Sequence, residues 1–131
     1  MDQGTLVTEQ VEVGQRLVSE FNDFAPLRAA FWRKDDETGE WQLYLASDKF
    51  NGEDSRIGYR EASRILGPMN LHAVNPVSVK IRGTNDPLVQ SVVTLMQKYP
   101  SLMPGRFRDR LPGWTNVEDV YVYSLHAPVA A

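Results

Sequence analysis

Arg56, Arg60 and Arg64 recur every fourth residue, a spacing that stacks three guanidinium groups along one face of a helix. Like charges at this separation oppose helix formation by about 0.2–0.5 kcal/mol per pair, so the stripe calls for a counter-charge. It can come from outside, as a phosphate, an RNA backbone or an acidic protein surface. It can also come from within, through Glu53, Glu61 or the carboxylates between residues 35 and 40. A second cationic set, Lys80, Arg82, Arg106, Arg108 and Arg110, falls on two extended segments. If those segments are neighbours, five cations project from one sheet surface, where guanidinium forks grip phosphate or carboxylate oxygens in pairs. Asp109 interrupts the run, and a solvated charge cluster without a ligand is the competing expectation.

Trp32, Trp41, Tyr44, Tyr121 and Tyr123 suit a ligand groove or a homodimer face, because Tyr and Trp join an apolar body to one polar end. Packing in the core is the simpler account. Trp114, in a loop beside Gly113, is the aromatic expected to remain exposed. Gly83-Thr-Asn-Asp-Pro87 is a strand-to-helix turn of the kind that binds phosphate at a helix N-terminus. Asp86 at the cap position would place its own carboxylate there and repel an incoming anion.

Catalytic chemistry has little footing. The two histidines, His72 and His126, fall in a loop and a tail; there is no Gly-x-Ser-x-Gly elbow and no cysteine. Asp35, Asp36, Asp48 and Asp119 could approach a divalent cation, although turns and strand edges carry such residues routinely. No catalytic, cofactor-binding or metal-ligating residue is therefore assigned.

The elements that must position these side chains follow from periodicity. Thr5 to Phe24 predicts an amphipathic helix through Val7, Val11, Val18 and Phe21, with Gly14 weakening it by about 1 kcal/mol relative to Ala. Two apolar, aromatic-rich runs, 28–34 and 41–47, flank the acidic connection Asp35 to Glu40 and predict a hairpin covered on both faces. A helix capped by Asp54 or Ser55 runs to Leu66, with Tyr59, Ala62, Ile65 and Leu66 facing the sheet. Val77 to Arg82 alternates apolar and polar and predicts a half-buried strand. Asn85-Asp86-Pro87 starts a further helix that Pro100 closes. A short strand from Arg106 to Arg110 and a strong one from Val117 to Leu125 complete the chain. The order α-β-β-α-β-α-β-β predicts a single α+β domain over residues 1–131, with helices packed on a mixed or antiparallel sheet and flexible ends at 1–4 and 126–131.

At 131 residues, the chain suits one cored domain. The absence of cysteine excludes disulfides and thiolate-bound zinc. No apolar run approaches the roughly 20 residues that span a bilayer, and the first four residues lack the basic start of a signal peptide, so a cytoplasmic protein without membrane contact is expected. Net charge is −3 overall, with the acidic excess in the first half. Bulk charge therefore disfavours non-specific nucleic-acid binding.

Ala30-Phe31-Trp32, Trp41-Gln-Leu-Tyr-Leu-Ala-Ser47, Tyr59-Arg60 and Val117-Glu-Asp-Val-Tyr-Val-Tyr123 together form a pattern that resembles a group of small uncharacterised bacterial proteins. The resemblance implies one domain and carries no functional residue with it. The expected function is a non-enzymatic module that binds a protein partner or itself through aromatic and Arg side chains. The alternatives are an anion or nucleic-acid binder using the Arg/Lys patches, and a small enzyme with a carboxylate and Arg pocket.

Overall fold

The structure is a computed structural model that describes residues 8–35, 37–51, 55–69, 74–108 and 119–125, the side chains of Pro76 and Arg108 excepted. Helix α1 (Thr8–Phe24) leads into the hairpin β1 (Ala29–Lys34) and β2 (Trp41–Ala46). Helix α2 (Arg56–Leu66), strand β3 (Val79–Arg82), helix α3 (Pro87–Lys98) and strands β4 (Gly105–Arg108) and β5 (Asp119–Val122) follow. The strands form one mixed sheet in the order β3-β2-β1-β5-β4. Only β2 and β3 are parallel, and the chain between them must cross over, which is why α2 lies there. The fold is α+β, as the element order predicts.

Each strand sends alternate side chains to opposite faces, and both faces are covered. Trp32, Leu43, Leu45, Val79, Ile81 and Tyr123 pack under α1 and α2 against Leu17, Phe21, Ala62, Ile65 and Leu66. Ala29, Phe31, Tyr44, Ala46, Val120 and Val122 pack under α3 against Leu88, Val89, Val92 and Leu95. The hairpin tip closes through Asp35 N–H to Glu40 C=O and Gly39 N–H to Asp35 C=O, both 2.8 Å, with Gly39 at φ 74° where a side chain would be strained.

Two expected boundaries move. Val77 does not belong to the strand: Pro76–Ser78 is a 3₁₀ turn, Val77 N–H is held by Asn75 Oδ1 at 3.0 Å, and its side chain is 79% exposed. The Asn75-Pro76 turn chemistry captures the residue before pairing with β2 begins. The last strand, described from Asp119, ends at Val122 and not at Leu125, with Tyr123 N–H still bonded to Ala30 C=O at 2.9 Å. Residues 5–7, 54, 109–118 and 126–131 lie outside the described residues, as do the expected helix start at Thr5, the Asp54 cap, the end of the Arg106 to Arg110 strand and both expected tails. Ser55 stands at the cap position of α2 without a side-chain hydrogen bond. Asp86 caps α3 as expected, accepting from Leu88 N–H at 2.8 Å.

Gly14 has a role that helix propensity alone does not show. Trp32 Nε1–H donates to Tyr123 Oη at 2.7 Å, and Tyr123 O–H donates to the Val11 carbonyl of α1 at 2.8 Å. A Cβ on Gly14 would overlap Tyr123 Oη and crowd the Trp32 indole. The missing side chain lets α1 settle onto this pair, and both buried polar groups are satisfied as burial requires. At the sheet edge, Tyr59 Oη of α2 accepts from the outward Ile81 N–H of β3 at 3.2 Å.

Gly14→Ala, a change that stabilises ordinary helix interiors, is expected to destabilise this protein by about 1–3 kcal/mol through overpacking. Tyr123→Phe, which orphans the Trp32 N–H and removes the tie to the Val11 carbonyl, is expected to cost about 1–3 kcal/mol. Urea denaturation with unchanged m-values checks both. Burial also pushes the Tyr123 phenol well above its ordinary range, against a smaller opposing effect of the Trp32 hydrogen bond. Its contribution to stability is thus complete below the unfolded-state value near 10 and fades as pH rises beyond it, because the unfolded chain ionises first. Stability should decline above about pH 10, and less steeply in Tyr123→Phe.

Candidate binding cleft

The structure separates the cations that the sequence groups. β3 and β4 lie at opposite edges of the sheet, with three strands between them. Lys80 and Arg82 therefore cannot join Arg106 in one patch. They also face opposite ways: Lys80 and Arg82 stand opposite Tyr44 and Ala46 on the α3 side, whereas Arg106 stands opposite Tyr121 on the α1 side. Sequence spacing cannot reveal this, because the strand order depends on the crossover through α2. The Arg108 side chain, Arg110 and Trp114 lie outside the described residues.

The Arg stripe is on α2 and faces solvent. Arg64 is neutralised locally, its Nε and Nη2 donating to Glu61 at 3.0 and 2.6 Å. The hydrogen bond from Arg64 holds the Glu61 carboxyl below the usual range. Internal pairing thus answers part of the charge problem, as expected for a solvated face. In the Gly83 to Pro87 turn, Asn51 Oδ1 already accepts from Thr84 N–H at 2.6 Å and Asn85 N–H at 3.3 Å. The side chain of Asn51, together with Asp86, fills the position an anion would need.

The aromatic side chains close the interior. Trp32, Trp41, Tyr44 and Tyr123 are buried, and only Tyr121 of the five remains partly accessible. Tyr121 lines an open cleft of about 310 Å³ with Arg106, Thr8 and Val11. The strand register builds one wall. Tyr121 sits between Trp32 on β1 and Arg106 on β4, and Thr8 and Val11 lie one turn apart at the start of α1. The start of α1 is anchored over β5 because the Val11 carbonyl receives the Tyr123 hydroxyl.

Arg106 is fixed before any ligand arrives. Its Nε and Nη2 donate to Asp119 Oδ1 and Oδ2 at 2.9 and 2.7 Å, and its guanidinium carbon lies 5.2 Å from the Trp41 ring centroid. Asp119 is 7% exposed. Two parallel N–H···O bonds and an aromatic face restrain the planar group in all directions but one. The Asp119 hydrogen bond raises the Arg106 pKa against the opposing effect of burial. Burial likewise raises the Tyr121 phenol, which stays protonated through neutral pH and can donate. Tyr121 Oη has no hydrogen-bond partner among the described residues, and its ring meets Tyr123 edge-on at 5.2 Å. The cleft thus combines an immobilised guanidinium edge, a phenol donor and the apolar surface of Val11.

Among the described residues, no three His, Cys, Asp or Glu side chains gather to hold a metal ion. Asp35 at the hairpin tip, Asp48 after β2 and Asp119 on β5 stand on separate elements, and Asp36 and both histidines lie outside the described residues. Sequence reasoning placed Arg106 and Tyr121 in different groups, one a patch cation and the other a core ring. It missed Thr8 and Val11 as neighbours of both, because nothing local reports where a helix start lands on a sheet.

Asp119→Ala is expected to release Arg106 and to destabilise the fold by about 1–2 kcal/mol, below the cost for a fully buried pair because Arg106 reaches solvent. Thermal melts and the loss of slow exchange at the Arg106 Nε proton check it. No protein-family model matches this chain, and no curated protein or solved structure is significantly similar to it.

Proposed function

We propose that this chain is a non-enzymatic binding module whose partner is a protein, and that the cleft between α1, β4 and β5 receives a partner side chain. The observation that carries the reading is the Arg106 guanidinium, clamped by Asp119 and laid on Trp41 beside an accessible Tyr121 whose hydroxyl has no hydrogen-bond partner among the described residues. Arg, Tyr and Trp dominate the energetics of protein interfaces. A side chain held rigid beforehand loses little conformational entropy on binding. The large hydrophobic side chains exposed among the described residues, Ile57, Val77 and Leu102, fall on three separate elements. They form no broad apolar face of the sort that permanent interfaces use, so the fitting partner is a transient one recognised by a few anchors.

A second copy of the chain remains within this reading, as do a cytoplasmic setting and kinship with small bacterial proteins. In support of the setting, no helix of the structure is long and apolar enough to cross a membrane among the described residues. The kinship rests on the aromatic strand segments, which here are used for packing.

A photo-cross-linking residue in place of Thr8, at the cleft rim, is expected to capture a discrete protein, and Arg106→Ala or Tyr121→Ala should reduce that yield about tenfold or more. The same cross-linker at Gln97, on the exposed side of α3, should not capture it. Equal capture from both positions, or a yield indifferent to both substitutions, would sink the proposal. Concentration-dependent sedimentation separates self-association from a foreign partner.

A further inference from the structure

On the opposite face of the sheet from that cleft, α3 leaves one corner uncovered. The helix begins beside the end of β3, where Asp86 pairs with Arg82 at 3.5 Å, and ends beside β4, where the Tyr99 and Phe107 rings stack at 6.5 Å. It therefore crosses the sheet diagonally. The corner it misses borders the buried Tyr44 ring and holds Arg33, Gln42 and Lys80, all on the α3 side: Arg33 stands opposite Gln42, and Lys80 stands opposite Tyr44.

We propose that this corner is a binding site for a phosphate monoester carried by a small molecule. The side chains are arranged around the Tyr44 ring. It stacks on Phe31 with centroids 5.0 Å apart and an interplanar angle of 2°, which fixes where its hydroxyl points. Arg33 Nη1 lies 3.3 Å from that hydroxyl, and the Arg82 guanidinium lies 5.5 Å from the ring centroid. Arg33 Nε is buried without a hydrogen-bond partner among the described residues, an unfavourable condition that an arriving oxyanion can relieve.

Charge decides the ligand class. The ion pairs among the described residues are Arg28–Asp48, Arg64–Glu61, Arg82–Asp86 and Arg106–Asp119, so Arg33 and Lys80 have no carboxylate partner among them. Asp35, the next residue on the Arg33 side of β1, turns its carboxylate to Glu37 N–H at 2.9 Å. The helix above, Pro87–Lys98, contains no acidic residue. Two uncompensated cations match a phosphate monoester, which carries about −1.5 to −2 at neutral pH, whereas one carboxylate would neutralise only half. The donors are of the right type, a guanidinium, an ammonium and the Gln42 amide N–H₂, while the Tyr44 hydroxyl accepts from Arg33 and donates to Gln42 Oε1 at 3.5 Å, holding both in place. Lys80 and Arg82 were visible in the sequence as cations, but Arg33, hidden among the aromatic residues of β1, was not.

The test titrates the full chain with inorganic phosphate and phenyl phosphate at matched ionic strength, with acetate as the carboxylate arm, following side-chain signals of Arg33 and Lys80 by NMR. Saturable shifts at both, with acetate weaker, are expected. Arg33→Gln and Lys80→Gln should each weaken phenyl phosphate binding about tenfold or more, while Arg60→Gln on α2 should leave it unchanged. Lys80→Gln, at a half-exposed edge position, keeps the test decisive if Arg33→Gln disturbs folding. Linear shifts without saturation, equal losses in Arg60→Gln, or tighter binding of acetate than of phosphate would each overturn the assignment.

Discussion

The chain of hydrogen bonds from Trp32 Nε1 through Tyr123 Oη to the Val11 carbonyl is the constraint on which the rest depends. It joins β1, the segment after β5 and helix α1, three parts of the chain far apart in sequence, through two buried side chains. A buried indole N–H or phenol without a partner would cost more than its hydrogen bond contributes, so the arrangement tolerates little sliding of α1. The bond needs a near approach that only glycine at position 14 permits. From that anchor, the first turn of α1 comes to rest above Tyr121 and Arg106, and the cleft acquires its second wall.

The parallel pairing of β2 and β3 has an equally wide reach. It requires the crossover that α2 supplies and sends β3 to one edge, while β5 inserts beside β1 and leaves β4 at the other. The cations of the two extended segments are divided by this order, Lys80 and Arg82 at one edge and Arg106 at the other. The two proposed recognition surfaces follow from that division. One is organised by an arginine neutralised within the protein, and the other by cations without a carboxylate partner among the described residues. They differ accordingly in what they can recognise, a shaped side chain in the first case and net negative charge in the second.

Period-two and period-four patterns made the elements legible. Asp86-Pro87 announced the start of α3, since cap chemistry is local. Strand order was not legible, because it is settled by which edges remain free after the helices pack. Gly14 read as a defect in α1, since its value lies in an approach between residues 14 and 123 that no local window contains. Val77 read as strand because alternation outweighed the turn signal of Asn75-Pro76. The Arg106 clamp escaped notice since Asp119 was counted among strand-edge carboxylates, not as the partner of a cation on the neighbouring strand.

Tyr59 has a consequence for assembly. By taking up the outward amide of Ile81, it denies a foreign peptide a rung of a ladder along β3. Unpaired margins of this kind are where proteins zip together indiscriminately, and here a phenol from the crossover helix acts as a plug. Any lasting association with another chain is thereby diverted from backbone templating on that flank to recognition by side chains.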